Sequence, residues 1–92
     1  MIESIRSKAL RLLWEKDDAS KLPPSQLFKI KMILTLLNAA ATIQDISFPG
    51  SELHSLKGDL SGFWAVKVNG NYRIVFRLEN ENAFDVDYID YH

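Results

Sequence analysis

The stretch Phe63-Trp64-Ala65-Val66-Lys67-Val68-Asn69-Gly70-Asn71-Tyr72-Arg73-Ile74-Val75-Phe76-Arg77-Leu78 decides the fold. Residues 63–68 and 72–78 each alternate with a period of two, the pattern of half-buried strands, and the Asn-Gly step between them marks a tight turn. A two-residue loop at Asn69-Gly70 would set Val68 opposite Asn71 and mix apolar with charged side chains on both faces. A three-residue loop over 69–71 instead pairs Val68 with Tyr72, Val66 with Ile74 and Trp64 with Phe76, which keeps one face wholly apolar. A slip of one residue would turn every side chain to the other face, so this second register is predicted, with a glycine bulge.

The same register sets Lys67 across from Arg73, where like charges destabilise. If the next hairpin turns through 79–83, Arg77 faces Asp85 and Tyr91 approaches Asn71. A solvated, mutually neutralising face accounts for Arg77 and Asp85. It accounts less well for Arg73, whose predicted partners are Lys67 and Ile89. An arginine so placed, near Asn71 and a Tyr-His terminus, is what an anion site requires.

Outward from the hairpin, residues 84–91 continue the period of two. Residues 53–57 read as a short strand stopped at Gly58-Asp59, and residues 1–5 as a first strand. From Ser7 to Lys16 the period changes, with Ala9, Leu10, Leu12, Leu13 and Trp14 on one broad helical face. Asp17, Asp18, Ser20 and Pro23-Pro24 punctuate a loop. A second helix is predicted to begin near Pro24-Ser25, and Leu27, Ile30, Leu34, Leu37 and Ala41 recur along it at helical spacing. The expectation is one α+β domain over residues 1–92: an N-terminal strand and two antiparallel helices packed on a mainly antiparallel, twisted sheet of about four to five strands.

Composition narrows the function. The chain has 92 residues, 47% hydrophobic and 11% aromatic, too apolar for intrinsic disorder. It contains no cysteine, so a disulfide framework, a zinc-thiolate site and a redox dithiol are excluded. The longest apolar run, residues 33–43, is too short to span a bilayer and is broken by Thr35, Asn38 and Thr42. Glu3, Arg6, Lys8 and Arg11 interrupt the first apolar segment, which therefore does not read as a secretory signal. A cytoplasmic location is expected, with no membrane partner.

The net charge of −1 does not advertise a nucleic-acid ligand. The average hides an asymmetry, because residues 1–46 carry seven basic and five acidic side chains while residues 47–92 carry four and seven. Lys57, Lys67 and Arg73 are expected to converge locally within the acidic half.

Two segments carry a family resemblance. One is Leu53-His54-Ser55-Leu56-Lys57-Gly58-Asp59 with the following Gly62-Phe63-Trp64. The other is Asn71-Tyr72-Arg73-Ile74 with the terminal Asp90-Tyr91-His92. Together they resemble the HigB toxins, a branch of the RelE-type superfamily of bacterial toxin–antitoxin modules. The resemblance spans the chain and is most specific over residues 53–92. It departs from the family pattern at Ser55, where proline is common, at Ala65, where serine is common, and at Tyr72, where tryptophan is common. None of these removes a titratable side chain, so they bear on substrate fit more than on chemistry.

What the resemblance implies is a RelE-like fold and a ribosome-dependent endoribonuclease that cuts messenger RNA in the aminoacyl site. Its partners would be the ribosome, messenger RNA and a HigA-type helix-turn-helix antitoxin, and it would need no cofactor or metal. The implied active-site residues are His54, Lys57, Asn71, Arg73, Asp90, Tyr91 and His92. Cleavage by the 2′-hydroxyl needs a base, an acid and cations around the phosphorane. Histidine suits the proton transfers, while Lys57 and Arg73 suit the developing charge. Tyr91 suits stacking on a splayed base. Asp90 can orient His92 or transfer a proton itself, and His54, Asp90 and His92 all stay open as the acid or the base.

Each residue also has a plainer reading. Without the family, His54 is a surface histidine, Lys57 a turn lysine, and His92 a frayed terminus. Asp85 and Asp87 read as surface residues, and Trp64, Tyr72 and Phe76 as core. Arg6, Lys8, Arg11, Lys29 and Lys31 are either solvated faces or, with Lys67, contacts to ribosomal RNA phosphates. Two rival functions share the expected fold. One is a gyrase-binding toxin of the ParE branch, which has no need of Lys57, Arg73 and a terminal Asp-Tyr-His together. The other is an inactive interaction domain.

Overall fold

The first helix begins where Ser7 leaves an extended backbone and its hydroxyl accepts the Leu10 N–H at 3.2 Å. This N-cap satisfies one of the donors that a helix start leaves unpaired. Helix α1 (Lys8–Lys16) buries Leu10 and Leu13 and ends at Asp17, which takes a left-handed conformation. The structure is a computed structural model that describes residues 1–90. Pro24 opens a single 3-10 turn, Pro24–Gln26, that feeds helix α2 (Leu27–Ala39). Here the sequence predicts one helix from Pro24-Ser25 to Ala41. The structure instead tightens the first turn and leaves the helix at Ala40.

Four strands follow: β1 (His54–Ser55), β2 (Trp64–Asn69), β3 (Tyr72–Glu79) and β4 (Asn82–Asp90), antiparallel and adjacent in that order. The N-terminal segment lies parallel to β4 through bridges at Ile2–Ala83 and Ile5–Val86. The expected first strand is thus two isolated bridges, and the sheet is antiparallel in all its named strands. α1 runs back along α2. Asp17 at its end meets Lys31 at 3.9 Å, while Ile2 ahead of it donates its N–H to Asn38 Oδ1 at 3.0 Å.

The main core fills the space between the helices and one sheet face. Leu10, Ile30, Ile33, Leu34 and Leu37 meet Val66, Ile74, Phe76 and Val86 there, all sealed from solvent. Val66 pairs with Ile74 and Trp64 with Phe76, as the register argument requires. The turn differs. Asn69 pairs with Tyr72, so the loop is Gly70-Asn71, and the extra residue is Val68, bulged between Lys67 and Asn69. Gly70 supplies the positive φ of 54° that the tight turn needs, and the bulge keeps Val68 in the core.

A second bulge re-aims the last hairpin. Its turn is Asn80-Glu81, both at positive φ, and Asp85 takes φ 55° where the ladder shifts between Val75 and Arg77. Arg77 therefore pairs with Phe84 in the ladder rather than with Asp85. The expected ion pair survives because Asp85 swings back, with Arg77 Nε and Nη2 each 3.0 Å from its Oδ2.

The opposite sheet face is less solvated than the alternation suggests. Leu56, Phe63, Ala65 and Val75 form a second buried cluster, with Leu60 and Ile89 against it. The loop after β1 folds over the sheet, and the Leu56 N–H donates to the Phe63 carbonyl at 2.9 Å. The strand expected over 53–57 stops at Ser55, because Gly58 at φ 70° turns the chain into a 3-10 turn, Gly58–Leu60. No helix among the described residues is long and apolar enough to cross a membrane.

Candidate active site

The face opposite the helices gathers several of the titratable candidates. Direct partners in an antiparallel ladder share a face. The pairs His54–Ala65, Ala65–Val75, Lys67–Arg73 and Arg73–Ile89 therefore place His54, Lys67 and Arg73 together around the second apolar cluster. Lys57 follows buried Leu56 on the covering loop and is exposed. Asn71 lies in the β2–β3 turn. Arg73 reaches back under that turn, its Nη1 donating to the Gly70 carbonyl at 2.7 Å and to the Tyr72 carbonyl at 3.1 Å. These backbone acceptors fix the guanidinium at the rim of the sheet, beside Asn71.

A residue with no place in the sequence-based site binds the cluster together. Glu52 lies at φ 47° immediately after the Pro49-Gly50-Ser51 turn. Its Oε2 is 2.9 Å from Lys67 Nζ, and its carbonyl oxygen is 2.8 Å from His54 Nδ1. The Lys67 hydrogen bond and charge hold the Glu52 carboxyl below its ordinary range, and the charges of Arg73 and His54 push the same way. One carboxylate thus feels three cationic or titratable neighbours. The sequence does hold a signal for it, since an acid two residues before His54 could answer the like-charge Lys67–Arg73 pair.

Asp90 ends β4 directly opposite Tyr72, which puts it on the helix side of the sheet, one position out of phase with Arg73 and Ile89. There Tyr72 and Tyr88 stack with ring centroids 5.3 Å apart and planes within 6°. Tyr88 donates its hydroxyl to Gln26 Oε1, and Gln26 is only 6% exposed. Burial pushes the Tyr88 phenol up, Tyr72 and Asp90 add to the shift, and the Gln26 hydrogen bond opposes it. Gln26 and Tyr88 were not among the sequence candidates. Together they anchor the strand that delivers Asp90. Tyr91 and His92 lie outside the described residues.

The remaining basic candidates spread over several surfaces. Arg6 precedes α1 rather than lying on it, with its guanidinium 5.3 Å from the Phe63 ring centroid and its Nε 3.6 Å from Asp85. Lys8 is exposed in the first turn of α1. Arg11 Nη1 donates to the Ile5 carbonyl at 3.4 Å. Lys29 sits 5.8 Å from the Phe48 ring, while Lys31, on another side of α2, faces Asp17.

Two hollows lie elsewhere among the described residues. A cleft of about 260 Å³ runs between Leu13, Trp14 and Leu34, and a shallower groove of about 460 Å³ follows Phe28, Met32 and Leu36 along α2. Both are on the helix side and contain none of the residues around His54 and Arg73. The titratable cluster, rather than either hollow, is the site with chemistry to offer. It combines cations and an imidazole on one face, as an anionic polymer would require.

A family model described as the RelE-like toxin of type II toxin–antitoxin system HigB matches residues 3–92. Endoribonuclease HigB of Proteus vulgaris is 37% identical over 92 residues, with 100% of both chains covered. Toxin HigB-1 of Vibrio cholerae serotype O1 is 30% identical over 94 residues, covering 100% of this chain and 98% of the relative. Among solved structures, the YoeB–YefM complex from Staphylococcus aureus matches with a TM-score of 0.60 at 18% identity, over 100% of this chain and 95% of that one. The conserved protein HP0894 from Helicobacter pylori matches with a TM-score of 0.52 at 13% identity, over 95% and 91%. At those identities the likeness to the solved structures is one of fold.

Proposed function

We propose, because the chain belongs to the HigB-like family of RelE-like toxins of type II toxin–antitoxin systems, that it is an endoribonuclease that cuts messenger RNA on the translating ribosome. The observation that carries this reading is the convergence of His54, Lys67 and Arg73 on one sheet face, with Lys57 on the loop that covers it. The substrate is single-stranded RNA presented in the aminoacyl site. The 2′-hydroxyl attacks the adjacent phosphorus while one group removes its proton and another protonates the departing 5′-oxygen.

One transfer falls to His54 and the other to Asp90 or His92, with Asp90 reaching the RNA from the end of β4 rather than from the sheet face that carries Arg73. Lys57 and Arg73 neutralise the phosphorane, and the backbone acceptors on Arg73 spare it reorganisation during the reaction. Asn71 beside Arg73 hydrogen-bonds the RNA backbone, and Tyr91 stacks on a base. Lys8, Arg11, Lys29 and Lys31, spread over several surfaces, meet ribosomal RNA phosphates, while Arg6 is partly committed to Asp85 and Lys31 to Asp17. The protein works in the bacterial cytoplasm and is neutralised by a HigA-type helix-turn-helix antitoxin.

The test is to induce the protein in bacterial cells and map messenger RNA 5′ ends. Codon-phased cuts within translated regions, lost in Lys57→Ala and Arg73→Ala chains that still fold, are expected. Intact messages alongside broken DNA would overturn the reading in favour of a gyrase-directed toxin.

A further inference from the structure

The Glu52 carbonyl and the His54 ring make a contact whose direction is fixed by chemistry. A carbonyl oxygen has only lone pairs, so the 2.8 Å approach to Nδ1 requires that Nδ1 carry the hydrogen. A neutral imidazole holds one ring hydrogen, and Nε2 is then the nitrogen with the lone pair. Free histidine side chains favour the opposite tautomer, so the preference at residue 54 must be imposed by its surroundings.

Those surroundings are built to impose it. The Ser51 N–H donates to the Phe48 carbonyl at 2.9 Å, and the Ser51 carbonyl accepts the Lys67 N–H at 2.7 Å. The turn is thereby tied to β2 one residue ahead of Glu52. Glu52 then reverses the backbone at φ 47°, a conformation that side chains other than Asn, Asp and Gly rarely adopt. That reversal turns the Glu52 carbonyl towards the His54 ring. Its carboxylate braces the residue from the other end on Lys67 Nζ, 2.9 Å away.

We infer that Glu52 is the positioning residue of this site: its left-handed backbone fixes His54 as the Nδ1-protonated tautomer and makes Nε2 the proton-accepting nitrogen. The use of Nε2 as a base for the RNA 2′-hydroxyl rests on the endoribonuclease reading, whereas the tautomer does not. Glu52 itself touches no substrate. It acts through His54.

The experiment records long-range proton–nitrogen correlation spectra of the 15N-histidine-labelled chain at a pH where the rings are neutral, with His92→Gln separating the two histidines. The wild-type chain is expected to show His54 protonated at Nδ1. Glu52→Asn, which tolerates positive φ, should keep that pattern. Glu52→Val, whose branched Cβ does not, should move His54 towards the Nε2-protonated form at unchanged fold, as checked by backbone amide shifts. In a ribosome cleavage assay Glu52→Val should be slower than Glu52→Asn by about tenfold or more. A wild-type His54 already protonated at Nε2 overturns the inference, and this needs no variant to fold. So does a Glu52→Val chain that folds and keeps the wild-type pattern. Equal cleavage rates in the two variants would overturn the catalytic use of the tautomer. Failure of the wild-type chain to cleave RNA would instead overturn the endoribonuclease reading and leave the tautomer assignment standing.

Discussion

Lys67 and Arg73 stand directly opposite each other on β2 and β3, and the carboxylate that relieves this pair comes from Glu52, 2.9 Å from Lys67 Nζ. Two cations in a non-covalent cross-strand pair repel by an amount similar to what opposite charges gain there, up to about 1 kcal/mol. An intramolecular carboxylate on Lys67 offsets that repulsion but also occupies Lys67. Arg73 is anchored by two backbone carbonyls, and its charge also acts on the Glu52 carboxylate, but the direct contact of that carboxylate is with Lys67.

The two cations should therefore contribute unequally to RNA binding. Arg73→Ala is expected to weaken binding of a single-stranded RNA oligonucleotide and to reduce the slope of log K against log salt by about 0.7, the loss of one phosphate contact. Lys67→Ala should lower the slope by less, because Glu52 competes with phosphate for the ammonium. Fluorescence anisotropy across a salt series measures both, and equal slopes in the two variants would contradict the argument.

Tyr88 and Gln26 set a second expectation. The phenol donates to an amide oxygen that is almost fully buried. Tyr88→Phe leaves that oxygen without its donor and should cost about 1–3 kcal/mol. Pairing it with Gln26→Leu removes the stranded acceptor and should recover part of the loss. Urea denaturation of the two chains decides it. A double variant no more stable than Tyr88→Phe would mean that the stacked Tyr72–Tyr88 pair, not the hydrogen bond, holds this corner.

The strand register was readable from sequence because Val66, Ile74, Trp64 and Phe76 are large, apolar and in phase, so only one alignment buries them all. A bulge in the first hairpin is expected from sequence, but at the glycine rather than at Val68, and the bulge in the last hairpin is not expected at all. A period-two reading assumes one residue opposite one, and Val68 and Asp85 break that count while keeping their side chains on useful sides. The second cluster was also invisible, since Leu56 and Leu60 lie in a turn without periodicity and Ala65 is small enough to pass as a spacer. At the candidate site, His54, Lys57 and Arg73 are expected from motif resemblance, and the ladder brings His54 and Arg73 to one sheet face. Glu52 has a charge signal in its place two residues before His54, but nothing in a glutamate signals the left-handed backbone that brings it to Lys67.

That second cluster yields its own prediction. Leu56 is buried against Phe63, Ala65 and Val75, and it is the residue from which Lys57 projects. Leu56→Ala should cost about 2 kcal/mol, the low end for a buried leucine, because the loop can partly collapse onto the gap. Cleavage should fall further than stability explains, since Lys57 loses its footing. The check is to compare cleavage rates at a temperature where Leu56→Ala and wild type are both fully folded. Equal rates there would show that Lys57 is placed by the Gly58–Leu60 turn alone.

Stability should also fall at both ends of the pH scale, through different residues. Asp45 accepts the Thr42 and Ala41 N–H groups, Asp18 is held down first by Ser20, and Glu52 by Lys67, so all three carboxyls titrate below their ordinary values in the fold. A depressed carboxyl contributes stability above its unfolded pKa and loses it as pH falls through the folded one, which puts the acid loss below about pH 4. Tyr88 has the opposite sign. Its raised phenol stabilises the fold in the neutral form, so its contribution holds below about pH 10 and disappears as pH rises beyond that. Denaturant midpoints measured from pH 2 to pH 11, as assay conditions, should trace both limbs. Tyr88→Phe should flatten the alkaline limb while leaving the acid limb in place, and Asp45→Asn should do the reverse. If Tyr88→Phe left the alkaline limb unchanged, the phenol could not be the group whose ionisation strains this fold.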